Sequence, residues 1–458
     1  MKISIIGAGY VGLVTGVCLS ELGHRVVCVE KDGHKAGKIE RGKPPFYEPG
    51  LGALLRKNLR DDRFLITRNL SEAVRSTDTT IIAVGTPSKY GKIDLAHIKI
   101  AIREVGAALR GKKSYHVVAV KSTVVPSTTD TVLKPILEKT SGKKLGQFGL
   151  CMNPEFLREG NAIRDFLSSD RIIIGSDDNR SFTVFKKVYS KYACPILRVS
   201  VRTAEMIKYT SNALLANLIS YSNEIAAICE QVGDIDVVEV MRGVHLDERL
   251  TPFLDTRSGG RLEAGIVAYL KAGCGFGGSC FPKDLQAIHS FSRAAGHKTR
   301  MIASAIAVNK NQPIRLAKRL EKELGGCKNK KIGVWGIAFK PETDDIRETP
   351  AKPIADYLLK RGAKVHMYDP VAMDAARNLF RGKRIYYAKN KMDAVRNADA
   401  LMIITPWRHF LDVNFRKLAD SMKPNAVIVD GRRVYDKRVV QKAGLRYLGV
   451  GYRKRGNG

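Results

Sequence analysis

A glycine-rich turn between a short apolar strand and a helical pattern limits the fold of this chain more than any other feature. The predicted strand Lys2–Ile6 runs into the sequence GAGYVG, a helical pattern follows, and a second apolar strand, Arg25–Val29, delivers Glu30. Strand, GxGxxG turn, helix, strand and acid are the order of a dinucleotide-binding βαβ unit. In such a unit the glycines let a pyrophosphate lie on backbone amides at the start of the helix.

The acid at the end of the second strand indicates which dinucleotide is bound. Glu30 lies 23 residues after Gly7, where a carboxylate can accept the adenosine ribose hydroxyls and repel a 2′-phosphate. We therefore expect NAD as the cofactor. Two alternatives remain: NADP, because Lys31 and Lys35 lie nearby, and a Rossmann-like fold that binds no cofactor. The residues expected to hold NAD here are Gly7, Gly9, Tyr10, Val11, Gly12, Glu30 and Lys35.

A weaker copy of the same pattern begins in the last third of the chain. Lys331–Gly336 resembles the opening strand and turn, and Lys364–Asp369 resembles the strand that ends in Glu30. The second turn lacks its third glycine, so we expect a mononucleotide-type ligand there rather than a second dinucleotide. Between the two copies, Val201–Gly233 has one long helical pattern without internal Gly or Pro. The predicted fold class is α/β, with two Rossmann-like doubly wound domains, 1–200 and 326–458, joined by a central helical domain, 201–325.

The overall charge of the chain allows two classes of function. It has 78 basic and 45 acidic residues, a net charge of +33, which would attract nucleic acid or another polyanion. The basic residues are dispersed, which favours a solvated surface that serves an anionic small molecule. Eight cysteines without a CxxC pair indicate free thiols in a reducing compartment. With no apolar run of membrane-spanning length and no metal-type histidine cluster, we expect a cytoplasmic protein without a metal.

The segment GFGGSCFPKD combines a glycine loop with chemically reactive side chains. Its glycines permit positive φ angles and close approach of the backbone to a ligand. Cys280 follows them directly, and Lys283 and Asp284 come three and four residues later. A thiol next to a cation and a helix start is suited to nucleophilic catalysis. Taken alone, the segment is equally compatible with a tight turn around a buried structural cysteine.

The segment GFGGSCFPKD also resembles the active-site loop of the UDP-glucose/GDP-mannose dehydrogenase family. Four other segments are similar to those of the family and occur in the same order, so the resemblance covers nearly the whole chain. They are YEPGL, NPEFLREG, AEMIKYTSNALLANLI and FKPETDDIRETP, the last followed by the strand end Asp430-Gly431-Arg432.

The resemblance implies two successive NAD-dependent oxidations that convert UDP-glucose to UDP-glucuronate through a thiohemiacetal and a thioester at Cys280. It implies a water held by Thr123, Glu155 and Asp284, a pair of donors at the sugar in Lys208 and Asn212, and Glu159 at the nicotinamide. The implied catalytic residues are Cys280, Lys208, Asn212, Asp284, Glu155 and Thr123. The further implied cofactor contacts are Thr86, Thr123, Glu159, Lys283 and Arg347. The implied substrate contacts are Glu155, Phe156, Leu157, Lys208, Asn212, Tyr269, Gly277, Lys340 and Arg432.

Local patterns add expectations and alternatives to this reading. Glu155 and Glu159 would share one face if their segment were helical, as Lys208 and Asn212 do. The resemblance implies a homodimer or higher homo-oligomer built on the central helices. Members of the family usually have an arginine sixteen residues before the active-site cysteine, and it reaches the nucleotide of the neighbouring subunit. Here Arg261 lies nineteen residues before Cys280, so this role is not assigned to Arg261. The alternatives are a GDP-mannose or UDP-N-acetylhexosamine dehydrogenase and a basic nucleic-acid-binding Rossmann protein. We expect no specific nucleic-acid partner and no membrane partner.

Overall fold

The structure is a computed structural model that describes residues 1–89, 91–251 and 264–454. It divides into two compact units, Met1–Ser211 and Asn212–Gly458. The expectation for Arg261 lies outside the described residues.

The first unit is built around an eight-stranded sheet. Its strand order is β10-β9-β8-β7-β4-β1-β2-β3, and all pairs are parallel except β8 with β9. The strands, including a two-stranded hairpin outside the sheet, are β1 (Lys2–Ile6), β2 (Arg25–Val29), β3 (Phe64–Thr67), β4 (Thr79–Ile82), β5 (Ser88–Lys89), β6 (Lys92–Ile93), β7 (Val117–Val120), β8 (Gly149–Met152), β9 (Ile172–Gly175) and β10 (Ile196–Val199).

Helices cover both faces of this sheet, which is why its central strands β4 and β7 are buried along their whole length. Continuous apolar strands of this kind are typical of parallel sheets covered on both sides. The helices are α1 (Tyr10–Glu21), α2 (Gly33–Glu40), α3 (Leu51–Arg60), α4 (Leu70–Arg75), α5 (Ala96–Leu109), α6 (Lys134–Ser141), α7 (Ala162–Leu167), α8 (Asn179–Lys186) and the first part of α9 (Val201–Val232).

The strand order reverses direction next to β1, and this point determines where a ligand can bind. From β1 the chain builds the sheet outwards through β2 and β3, and then returns to place β4 on the other side of β1. In doubly wound sheets, ligands bind outside the carboxyl ends of the strands at such a switch point. The GAGYVG turn follows β1, so the fold brings the predicted cofactor turn to this position.

The second unit combines helices with a six-stranded sheet of order β13-β12-β11-β14-β15-β16, in which every pair is parallel. Its strands are β11 (Lys331–Trp335), β12 (Lys364–Tyr368), β13 (Ile385–Tyr387), β14 (Ala400–Ile403), β15 (Val427–Asp430) and β16 (Arg446–Gly449). Besides the rest of α9, its helices are α10 (Val237–His245), α11 (Phe281–Ala294), α12 (Arg300–Glu323), α13 (Ala351–Lys360), α14 (Met373–Leu379), α15 (Lys391–Val395), α16 (Arg408–Leu411), α17 (Phe415–Ser421) and α18 (Lys437–Lys442).

The predicted fold class is confirmed: two Rossmann-like sheets occur, with a helical region between them in sequence. The helical region and the C-terminal sheet share one apolar core, in which Ala226 of α9 and Leu316 of α12 pack in the same cluster as Ile332 of β11. This shared core explains why the two form one compact unit. The boundaries of the three predicted domains stay a prediction.

The segment that contains Glu155 and Glu159 is not helical, so the condition under which the two glutamates would share a helix face is not met. Residues 153–158 are loop, and the next helix, α7, begins only at Ala162. Glu155 accepts a hydrogen bond from the amide of Leu157 at 2.7 Å, which closes a local turn in place of a helical one. As a result Glu155 is buried and Glu159 is partly exposed.

Candidate functional site

The glycine turn after β1 is shaped by close backbone contacts. Gly7 has a φ of +101°, and a Cβ at Gly12 would lie 1.8 Å from the carbonyl oxygen of Gly7, so neither position admits a side chain. A Cβ at Gly9 would meet nothing within 4 Å, which leaves open space where α1 begins. Free amides at a helix start beside open space form a cradle that fits the pyrophosphate of NAD.

The end of β2 carries the carboxylate expected at the ribose. Glu30 accepts from the amide of Asp32 at 3.0 Å, and its neighbour Lys31 is ion-paired with Glu104 at 2.6 Å. The ion pair draws the lysine charge towards α5, which weakens the case for a 2′-phosphate. Lys35 is exposed in the first turn of α2. The arrangement fits the adenosine end of NAD.

Two predicted cofactor-site threonines lie side by side beyond the ends of neighbouring strands. Thr86 follows β4 and Thr123 follows β7, and the Thr86 hydroxyl donates to the Thr123 carbonyl at 2.7 Å. Ser122 adds a second link, since its hydroxyl donates to the Val84 carbonyl at 2.7 Å. These bonds fix the two loops together and leave the Thr123 side chain partly exposed.

Glu48 joins the glycine turn to the loop that contains Glu155. One of its carboxylate oxygens accepts from the hydroxyl of Tyr10 and from the amide of Gly160 at 2.6 Å. The other accepts from the amide of Ala162 at 2.8 Å. Burial, together with the neighbouring Glu48 carboxylate, raises the pKa of Tyr10 far above its usual value, so the phenol stays a donor. The YEPGL segment thus holds the start of α1 and the end of the NPEFLREG segment in one network.

Glu155 and Lys208 form a buried ion pair in the first unit. Their Oε1 and Nζ atoms are 2.9 Å apart, and both side chains are almost fully buried. Burial raises the pKa of Glu155, but the charge and hydrogen bond of Lys208 outweigh it and bring this pKa below its usual value. Glu155 is therefore an ionised carboxylate, which can act as a hydrogen-bond acceptor or general base.

The rest of this loop provides contacts but no second buried charge. The Phe156 ring lies 4.2 Å from the guanidinium carbon of Arg171 and 5.5 Å from the Nζ of Lys208. Leu157 presents its amide to Glu155, and Glu159 is partly exposed. The structure therefore brings both Phe156 and Glu155 next to Lys208, and the roles of the three at the substrate stay a prediction.

In the second unit, Cys280 occupies the N-cap position of α11. Its thiol is partly buried and lies 3.6 Å from the Ser279 hydroxyl, and its carbonyl accepts from the amide of Asp284 at 2.8 Å. Pro282 in the first turn is well suited to a helix start, where its missing N–H costs nothing. The unpaired amides at a helix start stabilise a thiolate, so the fold places the candidate nucleophile in a favourable position.

Asp284 connects the other polar residues of this turn. It is buried, it is ion-paired with Lys283, and it accepts from the side-chain amide of Asn212 at 2.6 Å. The sequence predicted Asn212, Lys283 and Asp284 as site residues, and the structure brings Asn212 and Lys283 each into contact with Asp284. The hydrogen bond to the buried Asp284 carboxylate therefore fixes the orientation of the Asn212 side-chain amide.

The glycine loop before Cys280 is held against two other segments. A Cβ at Gly277 would lie 2.4 Å from the carbonyl oxygen of Glu348, and the amide of Gly278 donates to the carbonyl of Arg347 at 2.8 Å. Asn309 of α12 clamps the loop from the other side, with hydrogen bonds to the amide and carbonyl of Phe276 at 2.7 and 3.0 Å. The loop before Cys280 is therefore hydrogen-bonded to a different segment on each side.

The three basic side chains predicted to contact the substrate or the cofactor differ in the number of hydrogen bonds and contacts that they make within the protein. The Arg432 guanidinium donates to the carbonyls of Ile404, Gly275 and Phe339 at 2.5, 3.3 and 3.4 Å. Arg347 is exposed and paired with Asp345 at 2.7 Å, and Lys340 lies 5.7 Å from the Phe339 ring centre.

The remaining aromatic candidate, Tyr269, ends a 3₁₀ turn, Gly265–Tyr269, and lies 6.3 Å from the Phe281 ring. The structure therefore places it next to the first residue of α11.

The acid that ends β12 explains why the second glycine turn differs from the first. Asp369 is fully buried and accepts from the amides of Ile337 and Ala338 at 2.7 and 3.0 Å, and from the indole of Trp407 at 3.1 Å. It thus occupies the turn amides that would otherwise receive a pyrophosphate. This arrangement agrees with the expectation that the second half takes no dinucleotide.

Several supporting residues were not predicted as site residues. Glu48 and Asn309 carry no local signal of their role, because both act through the backbone of segments far away in sequence. Asn153 directly follows β8, and its position at a strand end could have singled it out. Lys121 follows β7 in the same way.

The fold, the glycine turn after β1 and the residues around Cys280 together define a class of protein: a nicotinamide-dependent dehydrogenase with a cysteine at a helix start. Three matches to family domains agree with it. Residues 1–193 match the NAD binding domain, 202–311 the central domain and 333–437 the UDP binding domain of the UDP-glucose/GDP-mannose dehydrogenase family.

The relatives and similar structures described below each cover 98% of this chain. A UDP-glucose 6-dehydrogenase of Bacillus subtilis is 39% identical, over 98% of this chain and 93% of its own. A UDP-glucose dehydrogenase structure from Pyrobaculum islandicum is 36% identical with a TM-score of 0.88 and covers 98% of both chains. A UDP-D-ManNAc dehydrogenase structure from Pyrococcus horikoshii is 26% identical with a TM-score of 0.83, over 98% of this chain and 99% of the other. This chain belongs to the UDP-glucose/GDP-mannose dehydrogenase family.

Within the described residues, no helix is both long enough and apolar enough to cross a membrane.

Proposed function

We propose that this protein oxidises UDP-glucose to UDP-glucuronate in two NAD-dependent steps, with Cys280 as the covalent nucleophile. The observation that carries the proposal is Cys280 at the N-cap of α11, followed within one turn by the ion pair of Lys283 and Asp284, whose carboxylate accepts from Asn212 of α9. The identities of about 40% to curated UDP-glucose 6-dehydrogenases support the sugar.

The proposed roles follow from the chemistry of each group. In the first step the C6 hydroxyl loses its proton and the C6 carbon loses a hydride, which yields an aldehyde. The Cys280 thiolate attacks this aldehyde, and Lys208 and Asn212 stabilise the oxygen as it gains negative charge. Loss of a second hydride from the thiohemiacetal leaves a thioester, so no free aldehyde escapes. Bound NAD accepts the hydride in each oxidation.

Hydrolysis of the thioester completes the proposed reaction. Glu155, held ionised by Lys208, takes a proton from a water molecule that Thr123 and Asp284 help to hold. The resulting hydroxide attacks the acyl carbon, the carbon–sulfur bond breaks, and the thiolate of Cys280 is restored. We further propose the cofactor and substrate contacts predicted from the sequence, with Glu159 at the nicotinamide and with Arg432 and Lys340 at the sugar nucleotide.

A panel of nucleotide sugars tests the substrate directly. We expect NADH from UDP-glucose, in a ratio of two per sugar, at a kcat/KM at least about tenfold above that for GDP-mannose or UDP-N-acetylhexosamines. The UDP-D-ManNAc dehydrogenase among the similar structures keeps the acetylated sugars as the main alternative. A higher kcat/KM for any of them would replace UDP-glucose as the substrate.

Glu30 is expected to select NAD. Its carboxylate lies at the ribose end of the cradle, where a 2′-phosphate would meet like charge, and Lys31 is engaged by Glu104. Wild-type kcat/KM should be at least about tenfold higher with NAD than with NADP, and Glu30→Gln should narrow the ratio. Equal use of the two cofactors by the wild type would contradict this assignment. Lys35→Gln is the matched control, and it should not shift the ratio of kcat/KM values towards NADP.

We also propose that the protein forms a homodimer through α9. Leu214, Tyr221 and Ile228 are each about half exposed, and their spacing of seven residues places them on one face of this helix. An exposed apolar stripe of this kind on a long helix favours a second copy of the same helix.

The double substitution Leu214→Lys and Ile228→Lys tests the dimer. It should convert the protein from dimer to monomer in sedimentation experiments, because two buried charges would face their own copies. Val439→Lys changes an equally exposed apolar residue outside the stripe and should leave the dimer intact. A wild-type monomer, or a dimer that withstands the double substitution, would exclude this surface.

A further inference from the structure

A buried carboxyl group on α9 holds one end of the loop that carries Thr123. Glu205 is fully buried, and its Oε1 accepts from the backbone amide of Thr129 at 2.8 Å. Thr129 begins the π-helical turn Thr129–Leu133, which leads into α6. Burial raises the pKa of Glu205 to about 7, but an oxygen of the group accepts the amide proton in either ionisation state. The bond therefore requires an acceptor rather than a charge.

The other end of this loop is held as well. The carbonyl of Thr123 accepts from the hydroxyl of Thr86 at 2.7 Å, and Val124 is fully buried in the same apolar cluster as Ala204 of α9. Further along the loop Ser127 has a φ of +72°, a conformation that residues other than glycine rarely adopt. Such backbone persists only where the surrounding contacts determine it. The conformation of the loop therefore depends on its attachments at both ends.

The helix α9 connects this loop to the base proposed for hydrolysis. Lys208 lies three residues after Glu205, so the two side chains are neighbours on one face of the helix. Lys208 pairs with Glu155 at 2.9 Å, while Glu205 binds the amide of Thr129. One helix therefore holds both the loop after β7, which carries Thr123, and the loop after β8, which carries Glu155.

We propose that Glu205 is a positioning residue for hydrolysis of the thioester: it attaches the loop that carries Thr123 to the helix that holds Glu155 through Lys208. The inference rests on the proposed function, because this attachment matters to the reaction only if Thr123 and Glu155 act on one water molecule. Glu205 then affects the rate only through the position of Thr123, and its effect should disappear when the Thr123 hydroxyl is absent.

Glu205→Met should slow hydrolysis, because a side chain of similar length without an acceptor leaves the Thr129 amide unpaired. We expect the rate of hydrolysis to fall by on the order of 10- to 100-fold, and by more than the rates of the two hydride transfers. After rapid mixing with UDP-glucose and NAD, NADH should therefore form in a burst, and the acyl adduct at Cys280 should accumulate. Glu205→Gln keeps an acceptor at the same position and should hydrolyse the thioester at close to the wild-type rate.

Two further variants separate positioning from a general loss of structure. Arg202→Gln is the matched control, since Arg202 joins α9 to the same π-helical turn through Asp130 at 2.6 Å. This ion pair lies at the surface, where it contributes little, so hydrolysis should be unchanged. Thr123→Ala completes a double-mutant cycle. The variant with both Thr123→Ala and Glu205→Met should hydrolyse the thioester within about twofold of the rate of Thr123→Ala alone.

Three results would overturn the inference: rate losses that multiply in the double variant, a Glu205→Gln variant as slow as Glu205→Met, or wild-type hydrolysis by Glu205→Met. Glu205→Ala leaves room for a water molecule beside the Thr129 amide, and it replaces Glu205→Met if that variant does not fold.

Hydrogen exchange of residues 123–133 tests the attachment without substrate. Exchange in this segment should be faster in Glu205→Met than in the wild type and in Glu205→Gln, because only the first lacks an acceptor for the Thr129 amide. If the wild type oxidises no nucleotide sugar, the proposed function fails. Equal exchange in the three proteins would instead show that Glu205 does not hold the loop.

Discussion

Cys280→Ala is expected to abolish the conversion of UDP-glucose to UDP-glucuronate, with a fall in rate on the order of 10⁴-fold or more. Without the thiol no thioester can form, and the second oxidation has no covalent intermediate to act on. NAD binding should be unchanged, because Cys280 is not among the proposed cofactor contacts and the substitution leaves Gly7–Gly12 and Glu30 untouched. NADH formation is measured by absorbance and NAD binding by calorimetry on the same preparations.

Cys274→Ala is the matched control, since it removes a second thiol from the same loop. Cys274 is fully buried and donates to the Gly431 carbonyl at 3.2 Å, and burial raises its pKa to about 11. A buried, protonated thiol of this kind is a poor nucleophile, so this variant should remain active. Full two-NADH turnover by Cys280→Ala would contradict the assignment of the nucleophile.

Patterns that are local in sequence predicted most of the fold. The GAGYVG turn and the strands on either side of it define a βαβ unit within thirty residues, and the structure has that unit at the switch point of the sheet. The helix 201–232 could be predicted because its sequence contains no internal Gly or Pro. The segment around Glu155 could not, because a tertiary partner, Lys208, and a local turn to Leu157 decide its conformation.

The candidate site shows the same division between local and long-range information. Cys280, Lys283 and Asp284 are recognisable because one turn of helix contains all three. Glu48 is not, because its partners Gly160 and Ala162 are more than a hundred residues away. Supporting residues of this kind can be found only from the folded backbone.

The second large effect is expected for Glu155→Gln. The substitution keeps the size of the side chain and its acceptor for the Leu157 amide, but it removes the charge that pairs with Lys208. A neutral amide cannot take the proton of the attacking water, so hydrolysis of the thioester should slow by about 10²- to 10⁴-fold. The steps before hydrolysis do not require this base and should continue.

The expected kinetics are therefore a burst followed by a slow steady state. The burst should approach two NADH per active site, because both hydride transfers precede the blocked step. The double variant Glu155→Gln with Cys280→Ala should show no burst of this size. An equal loss of rate in all steps, without a burst, would mean that Glu155 acts before hydrolysis.

Intact-protein mass spectrometry of Glu155→Gln, mixed with UDP-glucose and NAD and quenched in acid, tests the central claim most directly. The account predicts an acyl adduct of the sugar nucleotide that proteolytic mapping places on Cys280 and that is absent from the variant that also carries Cys280→Ala. An adduct on any other residue, or turnover that proceeds with no adduct at all, would contradict it.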